Sequence, residues 1–210
     1  MVVVTLCVYC NMSAIKQEWS KSEMKIVESA QQLIWKFGIR KVTVEEICEI
    51  AQVSKMTFYR SFNNKISVVE IILKKLFNDG MKSYESIMSS DISFPDKIEQ
   101  IFEMKKKSAH DMSEMFIHDL MHIEDKNLLG LMIKFQKESG ERFIQDLKDA
   151  QVDGWIRKGI KIDFINYMIN LIQDQLKNDE FLLIFENMEE ANEQIKNFLF
   201  FGVINEKKEK

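Results

Sequence analysis

The sequence predicts an all-α protein on three observations. Its 210 residues contain a single proline, Pro95, which leaves long stretches free to form helices. Apolar residues recur at helical spacing along most of the chain, whereas alternating apolar runs and the two-residue turns typical of β-hairpins are scarce. Hydrophobic residues make up 46% and charged residues 30% of the chain, which is the composition of a globular protein rather than a disordered or membrane protein.

The first predicted helix begins at Ser20 and ends before Gly38. Ser20 and Glu23 have the spacing of a capping box, in which each side chain accepts a hydrogen bond from the other residue's backbone amide. Gly38 is a typical stop signal. The apolar residues between them recur at helical spacing: Ile26, Ala30, Leu33, Ile34 and Phe37. We expect this helix to pack behind the two that follow.

The stretch from Thr43 to Lys65 predicts two short helices joined by a tight turn. Thr43 and Glu46 form a second capping box, and Ser54 is placed to cap the second helix. That helix would present a hydroxyl, a phenol and two cations outward: Lys55, Thr57, Tyr59 and Arg60. A short helix with such an exposed face suits the major groove of DNA better than a protein core.

This stretch resembles the tetracycline-repressor-like (TetR) family of bacterial transcriptional regulators. The similarity extends from Gly38 to about Leu76 and is carried by four short segments: 44–47, 51–54, 57–59 and 62–65. It implies a dimer that places one helix of each subunit in successive major grooves of a pseudo-palindromic operator. It also implies a repressor that a small ligand releases from DNA.

The resemblance implies a set of DNA-binding residues: Thr43, Ser54, Lys55, Thr57, Tyr59, Arg60 and Lys65. In this family Thr43, Tyr59 and Lys65 would contact phosphates. Lys55, Thr57 and Arg60 would face the bases or the nearby backbone. One residue departs from the pattern, because Gln52 stands where the family has glycine. A non-glycine residue held there in the left-handed conformation is strained by about 1 kcal/mol.

Charge is distributed unevenly along the chain. The net charge is −4, yet residues 1–90 have a balance of +3 and the remaining residues a balance of −7. The basic excess therefore lies in the half that contains the two-helix stretch. Non-specific affinity for DNA depends on local phosphate neutralisation, so a net acidic chain is compatible with DNA binding.

Breaks in periodicity divide the chain into three predicted segments. Residues 1–19 form an N-terminal extension, and residues 20–88 form the helix-turn-helix domain with a connecting helix. Residues 89–210, which follow a polar break, form a ligand-binding and dimerisation domain. We expect about nine helices in all, and those of the last segment are 95–109, 112–121, 125–153, 162–177 and 187–204.

The three cysteines favour a reducing compartment. Cys7, Cys10 and Cys48 are an odd number without a disulfide framework, so we expect a cytoplasmic protein. Cys7 and Cys10 have zinc-ligand spacing, but no second pair follows, and ordinary thiols are the simpler interpretation. Met12 is an alternative start to Met1.

Three clustered histidines, His110, His118 and His122, support an alternative function. His118 and His122 are four residues apart, so one helical face could present both to a metal. The pairs His110-Asp111 and His118-Asp119 are similar to those of the His-Asp phosphohydrolases, although that family's earlier histidine and distant aspartate are missing. A metal-dependent phosphohydrolase therefore stays as the alternative. We expect surface histidines, no metal, no cofactor and no enzyme.

Methionine and phenylalanine concentrate after residue 100, which indicates a deformable apolar cavity as well as a core. We expect an apolar or amphipathic ligand there. The candidate pocket residues are Met115, His118, His122, Phe135, Phe164, Tyr167 and Met168.

The last predicted helix has an apolar face too wide to remain in water. Phe198, Leu199 and Phe201 lie on this helix. They fit the dimer interface that the resemblance implies, which is built from the last two helices of each subunit. The sequence thus predicts a homodimer.

Overall fold

The computed structural model describes residues 19–202 and residue 204, and these residues form helices and no β-strand. The predicted all-α class is confirmed. Cys7, Cys10 and Met12 lie outside the described residues, as does nearly all of the predicted N-terminal extension. The described helices are α1 (Lys21–Phe37), α2 (Val44–Ala51), α3 (Lys55–Ser61), α4 (Lys65–Met88), α5 (Phe94–Ala109), α6 (Glu114–Met121), α7 (Lys126–Val152), α8 (Ile162–Gln175), α9 (Asp179–Leu182) and α10 (Met188–Phe201).

The described chain has one helix more than the nine expected from the sequence. The addition is α9, which has only four residues. A single turn gives no recurring apolar pattern, so periodicity could not reveal it. None of the described helices is long and apolar enough to cross a membrane.

The described residues form two compact units. The N-terminal unit comprises residues 19–80 and Ser108–Ile133, and the C-terminal unit comprises Met81–Lys107 and residues 134–202 with residue 204. The sequence predicted a boundary near residue 88. In the structure, α6 and its flanking residues belong to the same unit as α1, α2, α3 and the part of α4 up to Gly80. The Ser113 backbone amide, for example, donates to the Trp35 carbonyl oxygen (2.8 Å).

Helix α1 supplies the core of the N-terminal unit and packs against α2 and α3. The predicted capping box is present: the Glu23 amide donates to the Ser20 hydroxyl (3.3 Å), and the Ser20 amide donates to the Glu23 carboxylate (2.8 Å). Ile26, Ala30 and Ile34 are fully buried. The helix ends at Gly38, whose φ of 86° and ψ of 166° lie in a region that favours glycine.

The C-terminal unit has an apolar core with a polar cluster inside it. Residues from α4, α5, α7, α8 and α10 form the core, including Ile101, Leu147 and Ile169. Within it, the Tyr84 hydroxyl donates to the buried carboxylate of Asp146, and burial raises the pKa of the Tyr84 phenol above its usual range. The hydrogen bond compensates for burying both polar groups.

The turn between α2 and α3 contains a strained residue. Gln52 has φ 55° and ψ 45°, the left-handed conformation that the sequence predicted, and it is the one non-glycine residue with positive φ in the described part of the chain. Its amide donates to the Glu49 carbonyl oxygen (3.2 Å) and closes α2. The turn therefore keeps its geometry with glutamine at a cost of about 1 kcal/mol.

We expect Gln52→Gly to raise the free energy of unfolding by about 0.5–1 kcal/mol, because glycine adopts this conformation without strain. The thermal midpoint should rise by about 2–4 °C. A matched control is Gln32→Gly, an exposed position inside α1, where glycine should cost about 1 kcal/mol. Equal effects of the two substitutions in calorimetry would contradict the assignment of strain to Gln52.

Candidate DNA-binding site

Helix α2 is fixed at its start by the second predicted capping box. The Glu46 amide donates to the Thr43 hydroxyl oxygen (3.2 Å), and the Thr43 amide and hydroxyl both donate to the Glu46 carboxylate (2.8 Å each). These bonds with Thr43 hold the pKa of Glu46 below its usual value. Ile47, Cys48 and Ala51 face the interior. The helix therefore has a defined start and a defined inner face.

Helix α3 is capped and anchored as the sequence predicted. The Thr57 amide donates to the hydroxyl oxygen of Ser54, which is the N-cap (3.1 Å). Phe58 is fully buried and Phe62 nearly so, and their ring centroids are 5.7 Å apart. Two buried aromatic rings on one side leave the opposite side of this short helix in solvent.

The exposed side of α3 forms a surface that we call the reading face, which consists of Lys55, Met56, Thr57, Tyr59 and Arg60. Four of these side chains are exposed, and Thr57 is half-buried. The face combines cationic, hydroxyl and apolar groups, which are the groups that bind phosphates, base edges and thymine methyls.

Met56 is the member of the reading face that sequence analysis missed. Its side chain is 82% exposed. Met56 is two residues before the buried Phe58, about 200° around the helix, and this spacing was the available signal. An exposed, adaptable thioether can contact the methyl group of thymine in the major groove.

Lys55 forms an ion pair with Glu45 of α2. The hydrogen bond from Lys55 holds the pKa of the Glu45 carboxylate below its usual value, and the same bond raises the pKa of Lys55. Both side chains are exposed. A phosphate or base approaching Lys55 therefore competes with Glu45 for the same ammonium group.

We expect Glu45→Gln to strengthen binding to duplex DNA about two- to fivefold at low salt, because it removes this competitor and one negative charge. The control is Glu49→Gln, which removes the same charge from another exposed position of α2. Fluorescence anisotropy with a labelled duplex measures both. If the two variants gain equally, the gain comes from net charge and not from release of Lys55.

Lys65 contacts the backbone of its own chain. Its ammonium group donates to the carbonyl oxygens of Ile39 (2.7 Å) and Val42 (2.6 Å), with that of Arg40 at 3.3 Å. The side chain is half-buried, and burial lowers its pKa. The ammonium group therefore lies against the backbone between α1 and α2, and the phosphate contact that the resemblance implies stays a prediction.

The candidate ligand-pocket residues fall in different units. Met115, His118 and His122 belong to the N-terminal unit, and Met115 lies close to Gly38. Phe135 is fully buried in the C-terminal unit. The other three lie on α8, where Met168 is half-buried but Phe164 and Tyr167 are 60% and 65% exposed. Phe164 and Tyr167 thus lie on the exposed side of α8, and their place in a ligand pocket stays a prediction.

Two cavities of the N-terminal unit lie near the predicted histidine cluster. One has a volume of about 300 Å³, and His122 is among the residues that line it. The other has a volume of about 680 Å³, and its walls come from α1, α4 and the residues before α6. Of the candidate pocket residues, none lines this larger cavity.

The histidines do not form a metal site in the described part of the chain. The rings of His118 and His122 are stacked with centroids 4.3 Å apart, and His110 lines the larger cavity. The described residues contain no group of three or more histidine, cysteine, aspartate or glutamate side chains that could hold a metal ion. The phosphohydrolase alternative therefore has no support in this part of the molecule.

The residues predicted for the dimer interface differ in their exposure. Phe198 is 73% exposed, whereas Leu199 is buried in the core of its own unit. The side chain of Phe201 lies outside the described residues. The interface role predicted for these residues stays a prediction.

Comparison with known proteins adds evidence from sequence. Residues 26–70 match the family model described as "Bacterial regulatory proteins, tetR family". The HTH-type transcriptional regulator TtgR of Pseudomonas putida is 33% identical over 61 residues. This match covers 29% of this chain and 29% of TtgR, so the chain spans less than a third of that relative's length.

Comparison with solved structures extends over most of the chain. The fatty acid degradation regulator FadR from Bacillus halodurans gives a TM-score of 0.62 at 18% identity, covering 85% of this chain and 98% of that one. FadR from Bacillus subtilis in complex with stearoyl-CoA gives 0.60 at 17% identity, with the same coverage. At these identities the likeness shows the fold. Residues 26–70 thus match the tetR family of bacterial regulatory proteins, and most of the chain has the fold of these solved regulators.

Proposed function

We propose that this protein is a homodimeric transcriptional regulator that binds a specific DNA operator and is released from it by a small ligand. The observation that carries the proposal is the reading face. Its side chains are exposed on a helix that is capped by Ser54 and anchored by Phe58. A rigid helix with an exposed polar face is how helix-turn-helix proteins enter the major groove.

The residues of the site divide by the part of DNA that they would contact. Tyr59 and Thr43 are exposed and would bind phosphates, which sets affinity and the dependence on salt. Lys55, Thr57 and Met56 lie in the first turn of α3 and would meet base edges. Arg60, in the last turn, would contact either bases or backbone.

We infer a homodimer from exposed apolar side chains on α8 and α10. Phe164, Tyr167 and Leu171 lie on the exposed side of α8, and Phe198 lies on that of α10. Two of these four side chains are phenylalanines that a monomer would leave in water. A two-fold axis would bury this surface and give two reading faces for a pseudo-palindromic operator.

We propose an apolar or amphipathic ligand, bound in the C-terminal unit. The core of that unit consists of aliphatic, methionine and aromatic side chains. The structure of Bacillus subtilis FadR, which has a similar fold, contains stearoyl-CoA. Long-chain acyl compounds are therefore the first class to test. Release of the protein from DNA by polar metabolites, and not by acyl compounds, would contradict this choice.

The reading face is tested with four variants and two duplexes. One duplex is selected by the unaltered protein from a random pool, and the other is a scrambled version of it. We expect Thr57→Ala, Lys55→Ala and Met56→Ala to lose discrimination between this duplex and a scrambled one, by about 1–3 kcal/mol for each base contact. Tyr59→Phe should weaken binding to both duplexes equally.

The control for these titrations is Lys25→Ala, which removes an exposed cation from α1. It should leave both affinities close to those of the unaltered protein. If the four variants of α3 bind as the control does at matched salt, the assigned reading face is wrong.

A further inference from the structure

A buried aspartate of α6 is hydrogen-bonded to the backbone that precedes α2. Asp119 is only 4% exposed, and its Oδ2 accepts a hydrogen bond from the backbone amide of Arg40 (3.0 Å). Its Oδ1 lies 3.6 Å from the Arg40 Nε. One carboxylate thus binds both the main chain and the side chain of the same residue, which belongs to the turn between α1 and α2.

Helix α6 approaches the end of α1 so closely that residue 38 must be glycine. A Cβ atom placed on Gly38 would lie 2.6 Å from Asp119 Oδ2 and 2.7 Å from Met115 Cγ. Glycine at this position therefore serves two purposes, a positive φ and the approach of α6.

Further hydrogen bonds fix the ends of α6 to the same region. At its start, the Ser113 amide donates to the Trp35 carbonyl oxygen (2.8 Å). After its end, the Arg40 guanidinium donates to the His122 carbonyl oxygen (2.8 Å) and to Glu124 Oε1 (3.0 Å). α6 is therefore held along its length against residues 35–40.

The turn between α1 and α2 also accepts hydrogen bonds from a cationic side chain of another helix. Lys65, at the start of α4, donates to the carbonyl oxygens of Ile39 and Val42. Asp119 thus satisfies an amide of this turn, and Lys65 satisfies its carbonyls. The negative charge of Asp119 also favours the charged form of the half-buried Lys65. Thr43, which caps α2, follows directly.

We propose that Asp119 is a positioning residue for DNA binding: from α6 it fixes the start of α2, and through α2 it orients the reading face of α3. Asp119 acts through Arg40 and touches no DNA. The proposal deepens the proposed function and rests on it. It assigns α6 to the DNA-binding apparatus, which the sequence had placed in the ligand-binding domain.

The test separates positioning from general stability. Asp119→Asn keeps an oxygen that can accept from the Arg40 amide but removes the charge, and Asp119→Ala removes both. The control is Glu114→Gln, an exposed carboxylate on the same helix. For each full-length variant we would measure affinity for the selected duplex, thermal midpoint, and deuterium uptake of peptides covering residues 38–44 and 140–170.

We expect Asp119→Ala to bind the selected duplex about ten- to a hundredfold more weakly, which is the effect of losing one charge-assisted hydrogen bond. Deuterium uptake should rise in 38–44 and stay unchanged in 140–170. The Asp119→Asn variant should bind the selected duplex more tightly than Asp119→Ala does. Its residues 38–44 should also take up deuterium more slowly. Glu114→Gln should match the unaltered protein.

The proposal would be overturned if Asp119→Ala bound the selected duplex as tightly as the unaltered protein. It would also be overturned if affinity fell without faster deuterium exchange in residues 38–44. If Asp119→Ala does not fold, Asp119→Asn decides: weaker binding with faster exchange in 38–44 supports it, and parent-like values overturn it. If the unaltered protein selects no duplex, the proposed function fails and the positioning role fails with it. Faster exchange in 38–44 would then show only that Asp119 holds the turn.

Discussion

Gly38→Ala should destabilise the protein more than any other single-methyl change proposed here, by about 3–5 kcal/mol. Two costs add. The backbone of Gly38, with φ 86° and ψ 166°, lies in a region that alanine rarely adopts. The new methyl group would also displace Asp119 from Arg40, because the carboxylate is 2.6 Å from the Cβ position. The thermal midpoint should fall by about 10 °C, as measured by calorimetry.

The control for this change is Gly130→Ala in α7. A Cβ atom at Gly130 would meet nothing within 4 Å. Alanine should therefore stabilise the helix there by about 0.5–1 kcal/mol. If both variants melt at the same temperature, the close approach of α6 to Gly38 does not exist in solution.

Phe198→Asp should convert the protein to a monomer and abolish binding to the selected duplex. Burying one phenylalanine contributes about 1.5–3 kcal/mol, and a two-fold interface contains the residue twice. The substitution would also bury two unpaired carboxylates. Sedimentation velocity at micromolar concentration measures the first effect, and anisotropy measures the second.

The matched control is Val152→Asp, since Val152 at the end of α7 is even more exposed than Phe198. It should leave the oligomeric state unchanged. Dimers of Phe198→Asp with parent-like affinity would place the subunit contact on another surface.

Local signals in the sequence were enough to predict most helices and their ends. The capping boxes at Ser20 and Thr43, the stop at Gly38 and the left-handed residue at position 52 all occur in the structure. Each depends on residues within four positions of one another, so the physical cause is present in a short window of sequence.

Contacts between residues far apart in the chain could not be predicted from the sequence. Lys65 binds carbonyls 23 to 26 positions earlier, and Asp119 binds an amide 79 positions earlier. Helical periodicity shows that Leu199 and Tyr167 lie on some face, but only the packing shows which face is buried.

The most direct test of the account is selection of DNA by the unaltered protein from a random pool of duplexes. The account predicts enrichment of an inverted repeat whose half-sites lie about 34–36 Å apart along the helix axis, or a multiple of it, because a two-fold dimer presents one reading face to each half-site. Binding should weaken steeply with salt. A pool that shows no enriched sequence, or a single half-site without symmetry, would contradict the account.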